Sequence, residues 1–295
     1  MIHRFQDFHP FLTFFYYCGA ILLIMLFQHP TILSVVLFII LVIHFIDDGF
    51  RSLRRWRVLI FTTGILILVL NPLFNERGRN VLFEVFGHRV TLEALIYGGI
   101  TALSIITIIA LFVSYNEVMT PNKLLFLFSK FLPQFAILLM LTLRFIPLMK
   151  RRLEDISAVQ QSKGISVHEG KWRSKAKNGL LYVQVLLTYS LEEAIQTADS
   201  MNAREYGQGK RSTYEHFRFK KSDGIALAFL SILIFILLMG RFNGYGYLTI
   251  YPVMGSLQLS ALEWFYVVVL SLFYSFPLLV EGGGYLKWRL LKSII

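Results

Sequence analysis

Few groups in this 295-residue chain are able to do chemistry, and most of them are cations. Two stand in matching settings: Lys163 is followed directly by Gly164, and Arg204 is followed three residues later by Gly207. A cation in the last turn of a helix meets the negative end of its dipole, and glycine ends the helix. Plain capping accounts for either one alone, whereas two long helices with similar charged tips point to a docking device. Arg144 differs, because it lies in the apolar run 132–149. Charges inside a membrane normally face a protein interior or a partner. His44 and Asp47 have the i,i+3 spacing of a metal pair, although polar groups at the end of a span are usually just solvated.

Familiar catalytic patterns are missing. The chain has no H-E-x-x-H, C-x-x-C or G-x-S-x-G, so metalloprotease, zinc and serine-hydrolase readings lack support. The stretch 207–213 superficially looks like a phosphate loop, but Arg204 occupies the place where a Walker loop needs its first glycine. No catalysis by this chain and no cofactor are expected.

The elements that position these residues are membrane helices. Hydrophobic residues make up 56% of the chain and charged ones 16%, against about 25% charged in an average globular protein. That composition excludes disordered, collagen-like and coiled-coil classes. A single cysteine, Cys18, excludes an internal disulfide. An all-α polytopic membrane protein remains, with about six transmembrane helices. A span needs roughly 20 mostly apolar residues. Candidate runs are 11–27, 31–46, 57–70, 92–113, 132–149, 225–239 and 262–280. The first has no small-residue cleavage site and reads as a span rather than a signal peptide.

A net charge of +11 is explained by topology. Basic residues concentrate in cytoplasmic loops near span ends. Arg51, Arg54, Arg55 and Arg57 cluster at one connection, 14 Lys and Arg lie in 150–221, and Lys287, Arg289 and Lys292 follow in the tail. Placing these and Arg4 on one side collects 22 of the 29 basic residues there. The N- and C-termini are then both cytoplasmic, the chain is a multi-pass membrane protein, and nucleic acid is not a partner.

Two helices do not read as simple spans. Apolar 132–149 continues into polar 150–163, giving a helix about 48 Å long at 1.5 Å per residue. A second helix reads from about Lys177 to Arg204, and its apolar section, 180–191, covers only about 18 Å, too short for a ~30 Å core. The chain therefore divides into N-terminal transmembrane helices (1–131), a region of long helices on the cytoplasmic side (132–222) and C-terminal transmembrane helices (223–295).

Several motifs carry a family resemblance. They are His9-Pro10 and His29-Pro30; Asn71-Pro72-Leu73-Phe74 with Arg77-Gly78 and Thr91-Leu92-Glu93-Ala94; Leu143-Arg144-Phe145-Ile146-Pro147; and the run from Ala198 to Gly207. Together they resemble the transmembrane T component of energy-coupling factor (ECF) transporters, vitamin and metal-ion importers related to ABC systems. The resemblance implies two Ala-Arg-Gly-type signatures that insert into two ATP-binding ATPase subunits. Here they correspond to Ser162-Lys163-Gly164 and Ala203-Arg204-Glu205. Lys163 keeps the charge without the planar fork of arginine, and Glu205 brings bulk and negative charge where the family has a small residue. Arg144 and Pro147 are expected to be structural or partner-facing. A membrane-embedded substrate-binding (S) component and the lipid bilayer complete the expected partners. The alternative, a stand-alone secondary transporter using Arg144 to bind substrate, predicts internal repeats that the sequence does not display.

Overall fold

The computed structural model describes residues 5–282, apart from 76–77, 79, 86–87, 130–131, 168–170, 210–216, 251–254 and 256–257. Part of the phosphate-loop-like stretch and the basic tail therefore lie outside the described residues. The chain forms two compact units, one made of residues 1–121 and 217–295, the other of 122–216.

The first unit holds α1 (Pro10–Leu26), α2 (Pro30–Asp48), α3 (Arg51–Phe74), α4 (Leu92–Val118), α8 (Lys221–Phe242) and α9 (Ala261–Tyr274). The two His-Pro pairs turn out to be helix starts. Proline at the first helical position loses no useful N–H and has its φ already set. At α1 the Nδ1 of His9 accepts from the Phe11 N–H at 3.2 Å. At α2 the His29 ring lies 2.7 Å from the Thr31 hydroxyl. His44 is buried, with its Nε2 2.9 Å from the Ala110 carbonyl, which ties α2 to α4 and makes it a packing residue. Among the described residues, no group of three His, Cys, Asp or Glu is placed to hold a metal ion.

The core of this unit is aromatic and joins the two ends of the chain. Tyr16 donates to the Tyr274 carbonyl (3.1 Å), Tyr274 donates to the Ala20 carbonyl (2.7 Å), and the Tyr17 hydroxyl bonds that of Ser114 at 2.8 Å. Tyr16 stacks on Phe273 at 5.3 Å between centroids. Buried tyrosines of this kind bring a large apolar area and need a partner for each hydroxyl, which these have. Helix α8 approaches α9 closely at Gly240, where a Cβ would meet the Tyr266 ring at 2.3 Å.

Two features go beyond the sequence reading. A β-hairpin, β1 (Val81–Val85) paired antiparallel with β2 (His88–Thr91), connects α3 to α4. The last apolar run, expected at 262–280, is broken: α9 and a following helix, Phe276–Gly282, meet at 53°. Pro277 accounts for the break, because it has no N–H and its ring clashes with the carbonyl four residues earlier. Among the described residues, five helices are long and apolar enough to cross a membrane, or six if the bent pair is one span. Helix α1, with 17 residues, is slightly shorter. The chain is an all-α polytopic membrane protein.

The second unit contains α5 (Pro121–Ser129, all but its first residue), α6 (Pro133–Ser162) and α7 (Trp172–Ala203). Helix α6 is nearly as long as expected and continues through Pro147. Helix α7 begins five residues before Lys177.

Candidate functional site

Helices α6 and α7 end in the same backbone motif. At the first tip Lys163 is the C-cap, the Gly164 N–H donates to the Gln161 carbonyl (2.9 Å), and the Ile165 N–H donates to that of Gln160 (2.9 Å). At the second, Arg204 is the C-cap, the Glu205 N–H donates to Asn202 (3.0 Å), and the Tyr206 N–H donates to Met201 (3.0 Å). Both are Schellman motifs, which satisfy carbonyls left over at a helix end and place the next residue in the left-handed region. Ser162-Lys163-Gly164 and Ala203-Arg204-Glu205 are therefore equivalent residue for residue, with each cation at the same point of the cap.

The left-handed position separates the two tips. Gly164 takes φ 79° without a Cβ, whereas Glu205 is held at φ 55°. A left-handed conformation costs a non-glycine residue roughly 1–2 kcal/mol. Sequence reading had registered the bulk and charge of Glu205, but not that it occupies the position where a Schellman cap favours glycine. All six tip residues are exposed. The Ser162 hydroxyl donates back to the Val159 carbonyl at 2.7 Å, within its own helix.

The first tip is also braced. Tyr182 donates to the Ile165 carbonyl (2.6 Å) and Asn178 to that of Ser166 (2.8 Å), tying the chain just beyond Gly164 to α7. Neither residue was singled out from sequence; a tyrosine within the apolar stretch of α7 was the available signal.

The tips are not brought side by side. Contacts between the helices run from Ile165 with Tyr182, through Arg152 over the Tyr189 ring at 5.7 Å, to Met149 with Ser190. As the α6 number falls the α7 number rises, so the helices are antiparallel. Past the Met149–Ser190 contact α6 runs thirteen residues to Ser162 and α7 thirteen to Ala203. At helical rise each arm is about 20 Å long, and the two point opposite ways. Lys163 and Arg204 are thus presented at opposite ends of one antiparallel pair.

Arg144 and Pro147 are both exposed on α6. Around them Leu138, Met140 and Ile146 are each about 60% exposed, as are Leu187, Leu191 and Ile195 on α7. Extensive apolar exposure of this kind marks helices that another protein or lipid covers. The site offers cations at two exposed helix tips and exposed apolar side chains along both helices.

Comparison with known proteins places the chain in a family. The sequence model of the CbiQ family, described as cobalt transport protein, matches residues 1–215. A protein of Listeria innocua named energy-coupling factor transporter transmembrane protein EcfT is 28% identical over 58% of this chain and 70% of its own length. Proteins of the same name from Leuconostoc gelidum and Staphylococcus aureus are 24% and 23% identical, over 70% and 61% of this chain and 82% and 71% of their own lengths. With its N-terminal 215 residues matched and its helical membrane architecture in place, the chain belongs to the CbiQ family of cobalt transport proteins.

Proposed function

We propose that this chain is the transmembrane scaffold of an ECF-type ABC importer, coupling ATP hydrolysis by two partner ATPase subunits to uptake through a membrane-embedded substrate-binding component. The observation that carries the reading is the pair of equivalent cation-bearing Schellman tips at opposite ends of α6 and α7. One pair of helices with two separated tips suits two ATPase subunits, one per tip. Arg204 and Lys163 would enter grooves lined by carboxylates, where truncating one partner of a desolvated charge pair costs roughly 2–5 kcal/mol.

Work then passes through the helices as levers. When the ATPase subunits close and open, the distance between their grooves changes, and the antiparallel pair must pivot or shear to keep both tips seated. The exposed apolar flank of α6 and α7, with Arg144 and Pro147 on it, is where the substrate-binding component would dock and be moved. The relatives' names support the assignment to an energy-coupling factor transporter. The region 132–222 serves as the coupling region in this reading, with both termini on the cytoplasmic side of the cell membrane and substrate choice left to the partner.

Affinity purification of the chain from its native membrane tests this directly. Two ATPase subunits, or one present in two copies, are expected to come with it, and ATP should drive uptake in proteoliposomes holding the whole complex. A chain that purifies alone and transports without ATP would replace this reading with that of a secondary transporter.

A further inference from the structure

Between α2, α3 and α4 lies a groove of about 300 Å³ lined by Leu37, Leu41, Leu53, Ile60 and Ile106, among others, with Arg54 and Arg57 along it. Its shape follows from the turn before α3. Gly49 and Phe50 both take left-handed φ values, 58° and 65°, so the chain reverses within two residues and α3 starts beside the end of α2. Phe50 is thereby placed on the groove wall.

The four arginines of this segment divide between two faces. Arg51 and Arg55, at i,i+4, act electrostatically on the carboxylates of Asp48 and Glu117, which share the Ser52 hydroxyl. Arg54 and Arg57, at i,i+3, lie on the groove, and neither is paired with a carboxylate among the described residues. They stand where the polar start of α3 gives way to its apolar run, the level of lipid headgroups for a helix of this length and hydropathy.

We propose that this groove binds an anionic phospholipid, with an acyl chain along Leu37, Leu41, Ile60 and Ile106 and the phosphate held by Arg54 and Arg57. An apolar slot bounded by three membrane helices opens onto hydrocarbon, so an acyl chain enters it without meeting water. Paired guanidiniums at one end match a phosphate diester, which arginine grips through several N–H donors. Basic pockets between membrane helices at headgroup level are suited to acidic lipids. A second copy of this chain would bring the same two arginines to the contact and be repelled. An apolar partner helix would leave both charges facing hydrocarbon. The inference rests on α2, α3 and α4 being spans and is independent of the proposed coupling function.

The test uses the full chain in liposomes containing phosphatidylglycerol with a photoactivatable acyl chain, followed by peptide mapping after irradiation. Label should concentrate on peptides from 37–61 and around Ile106, and phosphatidylcholine carrying the same group should label them weakly. Affinity for phosphatidylglycerol should fall about fivefold for each arginine replaced in Arg54→Gln and Arg57→Gln. Arg173→Gln, on the exposed start of α7, should leave it unchanged. Leu41→Trp, which fills the slot and keeps both charges, should also remove the label. Equal labelling by the two lipids, or label spread evenly over all spans, overturns the proposal. So does displacement of the lipid by inorganic phosphate alone, which would make the arginines a free-anion site. Should the arginine variants fail to fold, the wild-type comparison of the two lipids decides the matter.

Discussion

In the unit that holds both chain ends, Tyr16, Tyr17 and Tyr274 are sealed from solvent and every hydroxyl has a partner. In the unit 122–216, only Leu125, Ala136, Ile156 and Tyr182 among the described hydrophobic residues are buried, while leucines and isoleucines along α6 and α7 stand in the open. Both units are rich in the same residue types, so hydrophobicity alone does not set the difference. One unit has a buried core that fixes it and still exposes apolar faces on its spans, such as Phe61 and Ile65 of α3, whereas the other buries almost none of its apolar surface. The difference lies in how much of each unit is sealed inside it, not in which residue types it contains.

The largest expected effect falls on the open unit without touching the closed one. Arg204→Glu should abolish ATP-driven uptake while membrane insertion and accumulation stay normal, because attraction to carboxylates becomes repulsion at an exposed tip. Uptake at wild-type rate in a reconstituted complex would break the link between the tips and coupling. Next come paired truncations. Leu230→Ala, at a fully buried site in α8, should destabilise the chain by about 2–5 kcal/mol, seen as a lower thermal midpoint. Leu187→Ala, at an exposed site in α7, should change stability by no more than about 0.5 kcal/mol. It should instead weaken capture of the substrate-binding component in a pull-down. Similar destabilisation by both truncations would erase the contrast between the units.

Smaller effects separate the two tips. Glu205→Gly should stabilise the end of α7 by roughly 1 kcal/mol, since glycine accepts the left-handed conformation without strain. Amide hydrogen exchange over residues 199–206 reads this locally, and faster exchange in the variant would refute it. The smallest change is expected for Lys163→Arg, which restores a forked cation at the first tip. Binding of the ATPase subunits should hold or tighten. A dissociation constant weakened by about tenfold would show that the ammonium makes a contact the guanidinium does not fit.

Much of this arrangement was legible in the sequence because its determinants are local. The apolar runs expected from 11, 31 and 132 begin within one residue of α1, α2 and α6, and Gly164 marks the end of α6. The resemblance to ECF T components, read from short motifs, agrees with the names of the relatives. The early start of α7 was missed because residues 172–177 are mostly polar and carry no apolar period. The hairpin was missed because strands of five and four residues give too short a pattern. The left-handed conformation of Glu205 was hidden by its side chain, since only glycine advertises that geometry. The opposed directions of the tips depend on Met149 meeting Ser190 and Arg152 meeting Tyr189, pairs too far apart in sequence for local pattern to reveal.

The tyrosine bonds between α1 and α9 also set a schedule for making the protein. The partner of the Tyr16 hydroxyl lies 258 residues downstream, and the Ala20 carbonyl waits 254 residues for Tyr274. At roughly 5–20 residues per second, the ribosome takes on the order of 13–50 s to deliver them. Helix α1 can join α4 earlier through Tyr17 and Ser114, only 97 residues apart. Until α9 arrives, however, one polar hydroxyl per nascent chain sits in the bilayer without its final acceptor. The unit 122–216 is synthesised complete within that interval, so α6 and α7 are made before the unit that holds the chain ends closes. A chain cut short before α9 would therefore carry the whole unit 122–216 but lack Tyr274, the residue that both accepts from Tyr16 and donates to Ala20.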